Sequence, residues 1–128
     1  MGNLYDRKPM DQAYQVVKHL HEQAEKHARS QDKILRAIPA TDKQRGLLCH
    51  LLGMAFGTGE AGDVARHEFL EYVFGNPSSK ALTLDQASVL IDWLRDPHGP
   101  GPHPAAVSEC WTILRAWGAE HGQQEMEL

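Results

Sequence analysis

Eight histidines, two cysteines and seventeen Asp or Glu side chains are the chemistry-bearing residues of this 128-residue chain. The nearest approach to a metal site is Asp63, His67 and Glu71, successive i,i+4 positions on one face of an expected helix. Three groups in a line converge poorly on one ion, whereas zinc takes ligands arranged tetrahedrally and usually drawn from more than one element. His67-Glu68 also lacks the second histidine of H-E-x-x-H, because Glu71 stands in its place. His19 and His21 diverge on a helix, and His98 and His103 fall in a stretch rich in Pro and Gly. Neither a metal nor any other cofactor is expected.

Nucleophilic chemistry has little better footing. Cys49 stands beside His50, but neighbours on a helix point about 100° apart and so out of hydrogen-bond reach. Glu68 and Glu71 read as the solvated face of a helix rather than an acid-base pair held in a cleft. Gly57-Thr58-Gly59-Glu60-Ala61-Gly62 matches G-x-G-x-x-G by letter, yet a phosphate-cradling loop needs a strand before it and a βαβ unit around it. A Leu-rich helical pattern precedes these glycines, so they are expected to end a helix and give a flexible connection. Cys49 and Cys110 lie far apart in apolar contexts and are expected to act as small buried hydrophobes, not as a disulfide framework. An enzyme is not expected.

Charge is distributed unevenly. Residues 1–45 carry nine Lys or Arg against six acids, a balance of +3, while residues 46–128 carry four against eleven, a balance of -7. Lys18, Lys26, Arg29, Lys33 and Arg36 lie along one expected helix, with His19, His21 and His27 able to add charge below neutral pH. These five basic residues are the candidate nucleic-acid contacts, although Glu22, Glu25 and Asp32 interrupt them. The acidic remainder repels phosphate, so binding of nucleic acid by the whole surface is not expected.

These residues must be positioned by helices. Residues 1–9 read as a loose start, and from about Met10 to Arg36 neither Pro nor Gly interrupts a helical composition. Ala13, Val17, Leu20, Ala24, His27, Gln31 and Ile34, spaced alternately by four and three, draw a narrow seam that either packs within the chain or pairs with a partner helix. Oligomerisation through this helix is one consequence. Ile38-Pro39-Ala40 breaks the pattern, and Thr41 with Gln44 forms a capping box opening a second helix with Leu47, Leu48, Leu51, Leu52 and Ala55 on its apolar face. Asp63 is expected to cap a third helix ending at Phe74, with Val64, Phe69, Leu70, Val73 and Phe74 apolar and Gly75 just beyond. A second capping box, Thr83 with Gln86, opens a fourth helix whose Ala87, Leu90, Ile91 and Leu94 share a face.

Pro97 to Pro104, PHGPGPHP, reads as an extended linker. Beyond it a last helix is expected from Ala105 to Trp117, with Val107, Cys110, Trp111, Leu114 and Trp117 on one face and a polar tail from His121 to Leu128. No period-two alternation occurs, so the expected fold is all-α, a single small bundle of about five helices. Its parts are an N-terminal basic helix over 1–40, a helical core module over 41–96, and the linker, last helix and tail over 97–128. No apolar run approaches the roughly 18 residues that cross a bilayer, and MGNLYDRKPMDQ lacks the apolar segment of a secretory signal, so a cytoplasmic protein without membrane association is expected.

From Ala40 to Leu94 the chain runs T-x-x-Q with paired leucines, a Gly-containing loop, F-L-E-Y-V-F-G, and S-S-K-A-L-T-L-D-Q-A-S-V-L-I-D-W-L. This stretch of about 55 residues resembles a helical module towards the C-terminus of some phage single-strand annealing proteins of the Erf and Rad-fifty-two-like kinds, and of the Mu-type GemA regulatory family. Ser79, Lys80, Leu82, Thr83, Ala87, Leu90, Ile91 and Leu94 carry the likeness most specifically. The resemblance implies a non-enzymatic, phage-like accessory or regulatory protein in DNA recombination, repair or replication, binding a protein partner and in addition DNA through the N-terminal helix. It brings no annealing core, because those proteins place a large sheet-bearing domain before the module. The alternative expectation is a protein-only adaptor or inhibitor of host transcription or replication machinery that makes no contact with nucleic acid.

Overall fold

A computed structural model describes residues 2–30, 38–76 and 78–126, with side chains described between residues 11 and 121. Over these residues it is all-α, with five helices: α1 (Gly2–Ser30), α2 (Asp42–Phe56), α3 (Gly59–Phe74), α4 (Leu84–Leu94) and α5 (Pro104–Met126), and a 3₁₀ turn at Ser79–Ala81 before α4. Among the described residues there is no strand, only two isolated bridges, Pro39 with Thr83 and Arg95 with Pro102. No helix among them is long and apolar enough to cross a membrane. Gln31, Lys33, Ile34 and Arg36 lie outside the described residues.

The starts of α2 and α4 are built alike and joined to each other. Thr41 and Thr83 each accept the amide of the residue three further on at 3.1 Å, and Gln44 and Gln86 each accept the cap amide in return at 3.0 Å. Both capping boxes thus form as the spacing implies. The segments leading into them pair antiparallel, with Ala40 N–H donating to the Leu82 carbonyl at 3.0 Å and Leu84 N–H to the Ile38 carbonyl at 2.7 Å. Gln44 then crosses the gap, its Nε2 donating to Ser88 Oγ at 2.8 Å and to the Leu84 carbonyl at 3.4 Å.

Helix α1 extends from Gly2, so residues 2–9 are helical rather than the loose start expected from their polarity. Pro9 lies inside this helix beyond its first turn, where it removes one backbone hydrogen bond. The seam on α1 packs within the chain: Ala13, Leu20 and Ala24 are buried, Val17 and His27 half-buried, and the helix lies against α4 and α5. Leu48, Leu51, Leu52, Phe69, Leu70, Val73, Leu90, Leu94 and Ile113 complete the core. Each large apolar side chain so buried stabilises the fold by about 1.5–3 kcal/mol.

Three expectations about element ends are corrected. Helix α3 begins at Gly59, a full turn before Asp63, which sits inside the helix and pairs with Arg66 at 3.3 Å. The cap position is Thr58, without a side-chain hydrogen bond. Gly57, at φ 98°, ends α2 with its N–H on the Gly53 carbonyl at 2.8 Å, and the connection is so short that Gly62 lies directly against Gly57. The Pro- and Gly-rich segment between α4 and α5 is closed rather than extended. Asp96 N–H donates to the Gly101 carbonyl at 3.1 Å, His98 N–H to Asp96 Oδ1 at 2.9 Å, and His103 N–H to the Leu94 carbonyl at 2.6 Å. Helix α5 then runs to Met126, well past Trp117, opened by Pro104 at its first position and by His103, whose Nδ1 accepts from Ala105 N–H at 3.1 Å.

The buried stripe of α5 is Ala106, Cys110, Ile113 and Ala116, not the Trp-containing face expected. Small residues there let α5 approach α1 and α3 closely, which displaces the bulky indoles to the margin. Trp111 is 41% exposed and meets the Phe56 ring edge-on at 5.3 Å, while Trp117 stacks on His121 at 3.8 Å. Leu47 and Val64 are likewise exposed, because the α2 and α3 faces that meet other helices are narrower than their apolar patterns.

A Cβ on Gly62 would collide with the backbone of Gly57, which side-chain repacking cannot relieve. Gly62→Ala should therefore destabilise the chain by about 1–3 kcal/mol through displacement of α3 from α2, read as a lower midpoint in urea. An equivalent Gly53→Ala, with open space around its Cβ, should leave the midpoint unchanged or raised.

Candidate docking groove and basic helix

Helix α4 is short, and its position follows from the pairing at its N-terminus. One flank faces α1, and between them opens a groove of about 620 Å³. Leu20 and Gln23 of α1 and Val89 and Trp93 of α4 line its inner part, with His19, Lys26 and His27 on the α1 wall and Asp92 on the α4 wall. Leu20 is fully buried and Val89 nearly so, which makes the floor apolar. The Trp93 indole is held from behind by Phe69, stacked at 6.3 Å, and its Nε1–H donates to Glu109 Oε2 at 3.2 Å. Its orientation is thereby set before anything occupies the groove.

His27 closes one end. Its Nδ1 lies 2.6 Å from Asp85 Oδ1, with both side chains less than a third exposed. Asp85 occupies the first turn of α4, where the helix dipole favours a carboxylate, so the bond joins α1 to a site already suited to negative charge. His21, on another face of α1, contacts the Val73 carbonyl through Nε2 and the Phe74 ring at 5.1 Å, tying α1 to the end of α3. Both histidines thus serve as joints between helices.

Of the five basic residues selected on charge, Lys18, Lys26 and Arg29 are described and exposed, and Lys33 and Arg36 lie outside the described residues. The three are not one stripe. At about 100° per residue, Lys26 sits some 60–80° round the helix from Lys18 and Arg29, which brings it to the groove. Lys18 and Arg29 share the outer face with Glu22 and Glu25, and Arg29 pairs with Glu25 at 3.2 Å with both ends largely in water. Such a pair contributes little to stability, but it lowers the net positive potential of that face.

The other candidate chemistry is not assembled. Among the described residues no three His, Cys, Asp or Glu side chains are grouped to hold a metal ion. Cys49 Sγ lies 3.9 Å from Ser79 Oγ rather than on His50, which is exposed. Cys110 is buried within α5, and that burial, with the nearby Glu109 carboxylate, pushes its thiol up to about 12. Burial and Glu120 together raise the Tyr72 hydroxyl as well. The groove residues Gln23, Val89, Asp92 and Trp93 were not candidate site residues, although the last three fall within the stretch from Ser78 to Leu94. Their one signal in the sequence is Trp93, a large aromatic on the flank of the α4 apolar face, which needs a neighbour to cover it.

No family model, curated protein or solved structure matches this chain.

Removing either partner of the His27–Asp85 bond should cost about 1–2 kcal/mol in urea unfolding, and the double substitution His27→Ala with Asp85→Ala should cost little more than one alone. Cys110 makes a second measurable difference. Its raised pKa means the folded chain keeps a proton that the unfolded chain releases above about 9, so the associated stability is complete below that pH and is lost as pH rises towards about 12. Cys110 should contribute about 1.4 kcal/mol per pH unit to this slope, a contribution that Cys110→Ala removes while that of the raised Tyr72 hydroxyl, above about 10, remains. In the folded protein an alkylating reagent should modify Cys49 well before Cys110.

Proposed function

We propose that this chain is a non-enzymatic accessory or regulatory protein in DNA recombination, repair or replication, phage-like and cytoplasmic, which binds a protein partner and also touches DNA through α1. The observation that carries the reading is the open groove between α1 and α4, where the half-buried Trp93 is exposed over a floor closed by Leu20 and Val89, a concave surface of the kind that receives a partner's side chains. The likeness of residues 40–94 to the module of phage annealing proteins and of the GemA family supports the same setting. Lys18, Lys26 and Arg29 of α1, together with Lys33 and Arg36 outside the described residues, supply the phosphate contacts in this reading. A second reading, a protein-only adaptor or inhibitor of host transcription or replication machinery, is favoured by one feature: Glu22 and Glu25 share the outer face of α1 with Lys18 and Arg29.

Salt dependence separates the two. If α1 meets phosphate, binding to single- or double-stranded DNA should weaken steeply with salt, and replacing the five basic residues by Gln should abolish it and flatten the dependence. No binding even at low salt would leave the protein-only reading, in which a partner from nuclease-treated lysate is retained.

A further inference from the structure

The two walls of the α1–α4 groove end in opposite charges, Lys26 on α1 and Asp92 on α4, both exposed. They stand too far apart to pair with each other, and among the described residues neither has an ion-pair partner. Of the neighbouring charges, His27 is engaged with Asp85 and Arg29 with Glu25, while Glu22 stands one turn before Lys26. Between Lys26 and Asp92 lies the apolar floor, with Trp93 braced by Phe69 and Glu109. A concavity with an exposed ammonium on one side and an exposed carboxylate on the other is complementary to a ligand of reversed polarity with an apolar middle. Its two walls are helices and its mouth is open, and a volume of about 620 Å³ admits a few large side chains. That is the shape and size of a seat for the apolar face of a short helix.

We propose that this groove docks an amphipathic helix of a protein partner in one orientation. Its apolar side chains pack on Trp93 and the edge of Val89, its carboxylate meets Lys26, and its basic side chain meets Asp92. The proposal rests on the reading of the chain as a partner-binding module and adds the site and the chemistry of what it binds. Trp93 is the aromatic anchor of this seat, and the two charges select polarity and speed encounter.

A displayed library of short random peptides, selected against the full chain, tests this. Enriched sequences should share an apolar or aromatic residue flanked on one side by an acid and on the other by a base, and in a nitrogen-15 NMR spectrum they should shift the Trp93 indole N–H. Lys26→Glu should weaken such a peptide about tenfold, and exchanging the peptide's acid for Lys should restore binding to that variant. Asp92→Lys should do the converse at the basic position. Both residues are exposed, so neither substitution disturbs the core. The proposal is overturned if nothing is enriched, if enriched peptides shift the Trp111 or Trp117 indole and not that of Trp93, or if they bind the Lys26→Glu and Asp92→Lys variants undiminished. A lysate protein retained after nuclease treatment by both variants as well as by the parent chain would overturn the groove while keeping the accessory function; retention of none, with no enrichment, would overturn both.

Discussion

The backbone pairing between residues 38–40 and 82–84 is the constraint on which the arrangement of helices depends. Two hydrogen bonds, from Ala40 N–H to the Leu82 carbonyl and from Leu84 N–H to the Ile38 carbonyl, bring together segments more than forty positions apart in the chain. Helices α2 and α4 therefore start side by side, and Gln44 connects them while completing its own capping box. Pro39 suits this place, since a residue without an N–H can stand in an isolated bridge at no further cost. With the start of α4 held, Asp85 is in position to meet His27, and Val89, Asp92 and Trp93 follow along the helix to form one wall of the groove.

Small side chains do as much as large ones to set the shape. Gly62 lets α3 begin directly against the end of α2, and Ala106, Cys110 and Ala116 let α5 approach its neighbours closely. Close approach at the centre leaves no room there for indoles, so Trp93, Trp111 and Trp117 lie at the margins. Trp93 is the one whose margin is concave. It is fixed by an aromatic stack and a hydrogen bond, so little side-chain freedom remains to it.

The charges of α1 divide by face. The outer face mixes Lys18 and Arg29 with Glu22 and Glu25, whereas the inner edge brings Lys26 to an apolar floor. A charge beside apolar surface acts differently from one surrounded by water, because a ligand that covers the floor also removes water from around the charge and strengthens its pairing.

The sequence alone determined the all-α class, the two capping boxes and the leucines of the core, because each depends on spacings within a single turn or helix. Thr41 with Gln44 and Thr83 with Gln86 are three residues apart, and a side chain needs no tertiary contact to reach an amide at that distance. Tertiary structure decided where α3 starts, how the Pro- and Gly-rich segment closes, which face of α5 is buried, and that Lys26, Trp93 and Asp92 meet at one groove. None of these could be read along the chain, since each depends on how closely two helices approach. That distance is set by the smallest side chains between them, Gly62 and the alanines of α5, whose effect is seen only once both surfaces are in place.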